Sequence, residues 1–193
     1  MKKIIKLLAV AIVATVFTTN ANAQFSAGID VALPLGDFSD ASSFGFGASV
    51  AYDFPLSDQM SVGGQAGYTM FPAKTPDGAP DDYSASYAAI PILGNFKYYF
   101  ADNTNGFYAM ASVGISIFSS KVEYTYDSFE FVNGSFVTVK EKFEADNSGS
   151  YITFAPGIGM ILNEKIDLNA RYIIINSEGS SVNYMNIRAA YNF

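Results

Sequence analysis

An eight-stranded antiparallel up-and-down transmembrane β-barrel, preceded by a cleavable signal peptide, is the fold class this sequence predicts. Three observations predict it. Apolar residues recur at every second position in eight separate runs. The chain is 50% hydrophobic and only 15% charged, against about 25% charged in soluble domains, although no interior run reaches the roughly 18 apolar residues of a spanning helix. The connections between the runs alternate between short and long.

Met1 to Ala23 is set aside first. Lys2, Lys3 and Lys6 form a positive start, Leu7 to Phe17 is an apolar stretch, and Ala21-Asn22-Ala23 supplies a small-x-small site before Gln24. This is the pattern of a Sec-type secretory leader cleaved between Ala23 and Gln24. The competing reading, an uncleaved anchor, needs a longer apolar run than these 11 residues. Residues 24–193 then form one barrel domain. Removing three lysines leaves eight basic against 18 acidic residues, a net charge of −10. The two arginines, Arg171 and Arg188, are too few for a phosphate-binding surface, so nucleic acid is excluded as a partner. The absence of His and Cys removes imidazole bases, thiolate nucleophiles and the common zinc and copper ligands.

The runs follow in order. Phe25, Ala27, Ile29, Val31 and Leu33 oppose Ser26, Gly28, Asp30 and Ala32. Phe44 to Phe54 sets its even, mostly apolar positions against Gly45, Gly47, Ser49, Ala51 and Asp53. Met60 to Met70 opposes Val62, Tyr68 and Met70 to Ser61, Gln65 and Thr69. Ile90 to Phe100 opposes Ile92, Phe96 and Tyr98 to Leu93, Asn95 and Lys97. In Phe107 to Ile117 the odd positions are apolar, with Ser112, Gly114 and Ser116 among the others. Ile152 to Leu162 alternates Phe154, Ile158 and Met160 with Thr153, Gly157 and Gly159. Asp167 to Ile174 opposes Leu168, Ala170, Tyr172 and Ile174 to Asp167, Asn169 and Arg171. The last run opposes Met185, Ile187, Ala189, Tyr191 and Phe193 to Asn186, Arg188 and Asn192. Such alternation is the mark of strands with unlike faces, and no helix signal follows the leader.

Pro55 to Gln59, Ala101 to Gly106 and Asn163 to Lys165 are short turns, whereas Pro34 to Ser43, Pro72 to Ala85 and Ser119 to Ser150 are long, with Asn176 to Val182 between. Short turns at one end and long loops at the other describe an up-and-down membrane barrel. Within 119–150 a hairpin is expected, with Val122 to Tyr126 and Phe136 to Phe143 as arms around Asn133-Gly134, a dipeptide that favours a type I′ turn; a surface loop without structure is the alternative.

Charge placement decides which face meets lipid. A solvated face would be densely charged, yet the less apolar face of all eight runs carries six charges: Asp30, Asp53, Lys97, Asp167, Arg171 and Arg188. That suits a narrow lumen lined by small side chains and a polar network. Asp30, Arg171 and Arg188 are expected at one depth, with Asp53, Lys97 and Asp167 nearer the short-turn mouth. Aromatics near the run ends, among them Phe25, Tyr52, Phe54, Phe100, Phe107 and Phe193, match interfacial belts. Closure of the first run on the eighth is required, because an open edge in hydrocarbon leaves backbone groups unpaired at several kcal/mol each.

Leu33-Pro34-Leu35-Gly36-Asp37-Phe38, Ile90-Pro91-Ile92-Leu93-Gly94-Asn95-Phe96-Lys97-Tyr98-Tyr99-Phe100, Gly157-Ile158-Gly159, Ala170-Arg171-Tyr172 and Tyr191-Asn192-Phe193 resemble the outer-membrane β-barrel domain family, in the small eight-stranded architecture of OmpA and OmpX. The resemblance implies a Gram-negative outer membrane, contact with its lipid, and a last-strand signal for the barrel assembly machinery carried by Ile187, Ala189, Tyr191 and Phe193. It implies a structural or surface-interaction role, in adhesion or envelope integrity, with a narrow porin-like channel for small solutes as the alternative. The long loops are where an extracellular ligand or surface would be met, and a monomer is expected. No catalytic, cofactor or metal constellation is found, so the chain is read as a non-enzyme. Asp77 to Asp82 lacks the ligand spacing of a calcium loop, and Gly45-Phe46-Gly47 lies inside a strand without the helix a phosphate cradle requires.

Overall fold

The computed structural model describes residues 24–80, 82–101, 105–132, 135–177 and 180–193. The leader up to Ala23 and the Asn133-Gly134 turn lie outside the described residues. The elements are β1 (Gln24–Leu35), a single helical turn α1 (Phe38–Ala41), β2 (Gly45–Ser57), β3 (Met60–Pro72), β4 (Ser84–Tyr99), β5 (Gly106–Val132), β6 (Ser135–Leu162), β7 (Ile166–Ser177) and β8 (Ser180–Asn192). Each strand pairs antiparallel with the next, and β1 pairs with β8 from Ser26↔Asn192 to Leu35↔Asn183, which closes the barrel. The register traced from Gln24 through Asp53, Gly63, Asn95, Ser112 and Ala155, and across the β6–β7 gap to Ile173 and Tyr184, returns to β1 at Pro34. That stagger tilts the strands against the barrel axis, as closure of so small a sheet demands.

The two-residue alternation becomes an inside and an outside. Asp30, Ser49, Gln65, Lys97, Ser112, Thr153, Arg171 and Arg188 are buried, while Ile29, Val50, Phe96, Val113, Ile158 and Ile187 are exposed on the outer wall. In a membrane that wall is covered by acyl chains, and the lumen is the core. Phe193 stacks near Phe25 and Tyr191 at one rim, and its N–H donates to the Phe25 carbonyl at 2.9 Å.

Five prolines fall within the strands, Pro55 and Pro72 near strand ends and Pro34, Pro91 and Pro156 where a ladder ends or is interrupted. Pro34 stands past the last β1–β2 pair, Ala32↔Gly45. Pro91 falls where the β3–β4 ladder skips from Ala66↔Ile92 to Thr69↔Ala89. Pro156 falls where the β6–β7 ladder skips from Phe154↔Ile174 to Gly157↔Arg171. A residue that cannot donate to a ladder is tolerated where the ladder is interrupted.

Two features differ from the sequence reading. α1 is a helical turn where none is anticipated; four residues are too few to show a period, and Phe38 folds them inward by burying its ring. The 119–150 connection is not a loop carrying a separate hairpin. β5 and β6 run through it unbroken, from Gly106↔Ile161 to Val132↔Ser135, and the expected arms are parts of these two strands.

Small residues on the two faces serve different ends. A Cβ at Gly114, on the lumen side, would overlap the backbone carbonyl of Ile92, which cannot move aside. At Gly64, on the outer wall, the nearest atom to such a Cβ is 4.0 Å away. Gly114→Ala is therefore expected to cost about 1–3 kcal/mol by overpacking and to lower the temperature at which the compact, fast-migrating band is lost on an SDS gel. Gly64→Ala should leave that temperature unchanged.

Candidate functional site

The lumen is built in layers, and the lower one is ionic. Lys97 Nζ donates to Asp53 Oδ2 at 2.8 Å and to Asp167 Oδ2 at 3.1 Å, lying 4.9 Å above the Tyr108 ring centre. The Tyr108 hydroxyl donates to Asp167 Oδ1 at 2.6 Å. Arg188, opposite Asp30 in register, reaches that carboxylate through Ser49: its Nε donates to Ser49 Oγ at 2.9 Å, and Ser49 Oγ donates to Asp30 Oδ2 at 2.6 Å. Its other nitrogens meet Ser26 Oγ at 3.0 Å and stand 3.9 Å from Asp167 Oδ2. Arg171 lies 3.8 Å from Asp30 and donates to Gln65 and Asn186.

The six charged residues singled out by sequence are thus linked in one neutral chain: Asp53, Lys97, Asp167, Arg188, then through Ser49 to Asp30 and Arg171. Arg171 and Arg188 both serve Asp30, and the Lys97 group lies nearer the short-turn end. The Arg188–Asp167 contact joins the two groups. The sequence reading did not single out Ser26, Ser49, Gln65, Tyr108 or Asn186 as members, although all share the lumen-facing parity of the charges they serve.

The upper layer is apolar. Phe38, carried by α1, meets Phe71, Tyr87 and Phe118 edge-on at centroid distances of 5.1, 5.5 and 5.7 Å. Tyr184, Ile173, Ile175 and Leu93 complete the packing below. The turn is tied down: Ser42 Oγ donates to the Pro72 carbonyl at 2.7 Å, and Lys74 Nζ donates to the Ser39 carbonyl at 2.8 Å. Between the layers the Asn95 amide and Ser112 hydroxyl are buried without a protein partner, the kind of group that ordered water satisfies. A polar middle therefore lies between an ionic floor and an aromatic cap.

Beyond the cap, β5 and β6 continue as a two-stranded hairpin past the last β4–β5 pair, Ser84↔Glu123. One face carries charge: Lys121 contacts Glu123 and Glu144, the latter at 3.2 Å, and Lys142 lies 3.5 and 3.8 Å from the same two carboxylates. The other face is aromatic. Tyr124 stacks on Phe143 at 4.9 Å and on Tyr83 at 6.5 Å, and the Tyr126 hydroxyl donates to Glu141 Oε2 at 2.6 Å. The Lys121 ammonium beside it holds the Glu123 carboxyl below its usual range, and the Thr125 hydroxyl does the same for Asp82.

Two expectations follow. Lys97→Met strands two buried carboxylates and should lower stability by about 3–5 kcal/mol in thermal or urea unfolding. Adding Asp53→Asn should restore part of that loss, because Asp167 keeps Tyr108 and Arg188. For the hairpin, a depressed carboxyl pKa gives stability that is present above the unfolded value and lost as pH falls through the folded one. Order around Glu123, read by amide relaxation, should persist as pH falls through the range in which an ordinary glutamate protonates and be lost only below it.

The sequence matches the outer membrane protein beta-barrel domain over residues 7–193. No curated protein matches it. Solved structures share the fold. Ail, the attachment invasion locus protein of Yersinia pestis, is 10% identical with a TM-score of 0.59, covering 89% of this chain and 97% of its own. The same protein in complex with the heparin analogue sucrose octasulfate gives 12% and 0.60 at the same coverage. Neisserial surface protein A gives 14% and 0.50, over 88% of this chain and 95% of its own. With the family match spanning nearly the whole chain and the closed eight-stranded ring described above, the protein belongs to the outer membrane β-barrel domain family.

Proposed function

We propose that this barrel does not conduct and that it acts by surface interaction, through the β5–β6 hairpin, in adhesion or envelope integrity. The observation that carries the reading is a division of labour between lumen and hairpin. The lumen is closed twice, by the ionic floor around Lys97 and by the Phe38 cap, whereas the hairpin leaves Phe129 70% and Phe131 65% exposed far from the apolar wall. Large exposed apolar groups on a soluble surface mark places where something else docks. The complex of Ail with a heparin analogue supports surface binding as a use of this fold.

In the same reading, residues 1–23 direct export by the Sec route and are removed between Ala23 and Gln24. Ile187, Ala189, Tyr191 and Phe193 present the last-strand signal to the assembly machinery of a Gram-negative outer membrane. The outward parity of Ile187, Ala189 and Tyr191 on β8, continued by Phe193 just past its end at 76% exposure, supports that role.

Planar-bilayer recording separates this reading from a narrow channel. The filled lumen should give no stable, reproducible openings, and steady single-channel steps would favour the porin-like alternative. Replacing Tyr124 to Phe143 with a two-residue turn should leave the heat-modifiable gel mobility intact. The same change should abolish attachment of expressing cells to protein- or glycan-coated surfaces.

A further inference from the structure

The hairpin reading says that something docks; the distribution of charge says what kind of partner fits. Between Gly36 and Ser43, Ala73 and Tyr83, Ser119 and Ser150, and at Glu178, the sequence carries twelve acidic and four basic residues. These connecting segments therefore carry a net −8 of the −10 on residues 24–193, and the six lumen charges cancel. A sulfated polyanion of the kind bound by Ail is repelled by such a surface.

The hairpin also sorts its charges by face. Lys121 and Lys142 are engaged by Glu123 and Glu144 on one side. The aromatic side, with Tyr124, Tyr126 and Phe143, carries Glu141 and, among the described residues, no Lys or Arg. Tyr126, 42% exposed, donates its hydroxyl proton to Glu141, which makes the ring richer in electrons. Tyr83 extends the stack from the neighbouring loop. Aromatic faces next to carboxylates, with no competing cation, are the chemistry that holds ammonium and guanidinium groups.

We infer that the aromatic face of the hairpin docks a cationic peptide segment, whose Lys or Arg side chains lie over Tyr126, at the open end of the Tyr83–Tyr124–Phe143 stack, and pair with Glu141. This rests on the surface-interaction reading and adds the partner's chemical class.

The test uses the whole barrel in phosphatidylcholine nanodiscs, with fluorescent nonaarginine as the cationic probe and sucrose octasulfate as the anionic one. The peptide should bind saturably, more weakly as salt rises, and the octasulfate should not bind. Tyr126→Ala and Glu141→Gln should each weaken the peptide by about fivefold, with heat-modifiable mobility verifying that the barrel is intact. Octasulfate binding, or peptide affinity equal in wild type and both variants, overturns the proposal; the second result means diffuse attraction to an acidic surface.

Excess nonaarginine should also block cell attachment. Attachment that needs the hairpin but ignores the peptide sinks the cationic partner and leaves the surface reading standing. Attachment independent of the hairpin sinks the reading itself.

Discussion

A strand in hydrocarbon has one place to put its N–H and C=O groups, which is on another strand. Each group left over costs several kcal/mol, so the sheet must return on itself, and in this chain β1 meets β8 over ten paired positions. Everything else in the molecule answers to that closure. A ring of eight strands has an interior just wide enough for side chains, so whatever points inward must pack or pair with what points inward from across the lumen. Charges placed there have no bulk water to fall back on. The chain meets this with three acids and three bases joined directly and through Ser49, while Tyr108, Gln65 and Asn186 take up further hydrogen bonds of Asp167 and Arg171.

The same constraint accounts for the contrast between the two ends. Inside the membrane span the composition is held to apolar outward and small or paired inward. Above it the strands of the β5–β6 pair are free of lipid, and their outward parity changes from Ile115 and Ile117 to Lys121 and Glu123 within a few residues. Net charge collects there, because nothing in the lumen or on the wall could carry it. A closed, neutral barrel presenting an acidic, aromatic hairpin is therefore a rigid support with one chemically distinctive surface.

How much of this was legible in the sequence follows from what the alternation reports. Apolar residues at every second position record burial in lipid on one face, so the parity of every membrane strand and the inward direction of all six charges could be read directly. The hairpin arms Val122 to Tyr126 and Phe136 to Phe143 were legible as well, but not that β5 and β6 run into them unbroken, because strands that leave the membrane lose the apolar half of the pattern and Ser119-Ser120 and Ser148-Gly149-Ser150 look like loop. The Phe38 cap was hidden for a different reason. One helical turn has no period, and its ring is buried by Phe71, Tyr87 and Phe118, which come from three other strands. Ser49 and Tyr108 were visible as lumen-facing positions, but their partners across the barrel depend on the stagger of the ring, which no local pattern encodes.

The central claim is that this chain crosses a membrane as a closed barrel with odd positions of β5 on lipid and even positions in the lumen. The absence of cysteine in the sequence makes a direct measurement straightforward: single cysteines from Phe107 to Ile117, each carrying a nitroxide, with accessibility to oxygen and to a water-soluble nickel relaxant read by electron paramagnetic resonance in lipid vesicles. The account predicts a strict two-residue alternation, with Phe107, Ala109, Ala111, Val113, Ile115 and Ile117 open to oxygen and shielded from nickel, and the positions between them shielded from both. A uniform profile, or nickel reaching the odd positions, would contradict it.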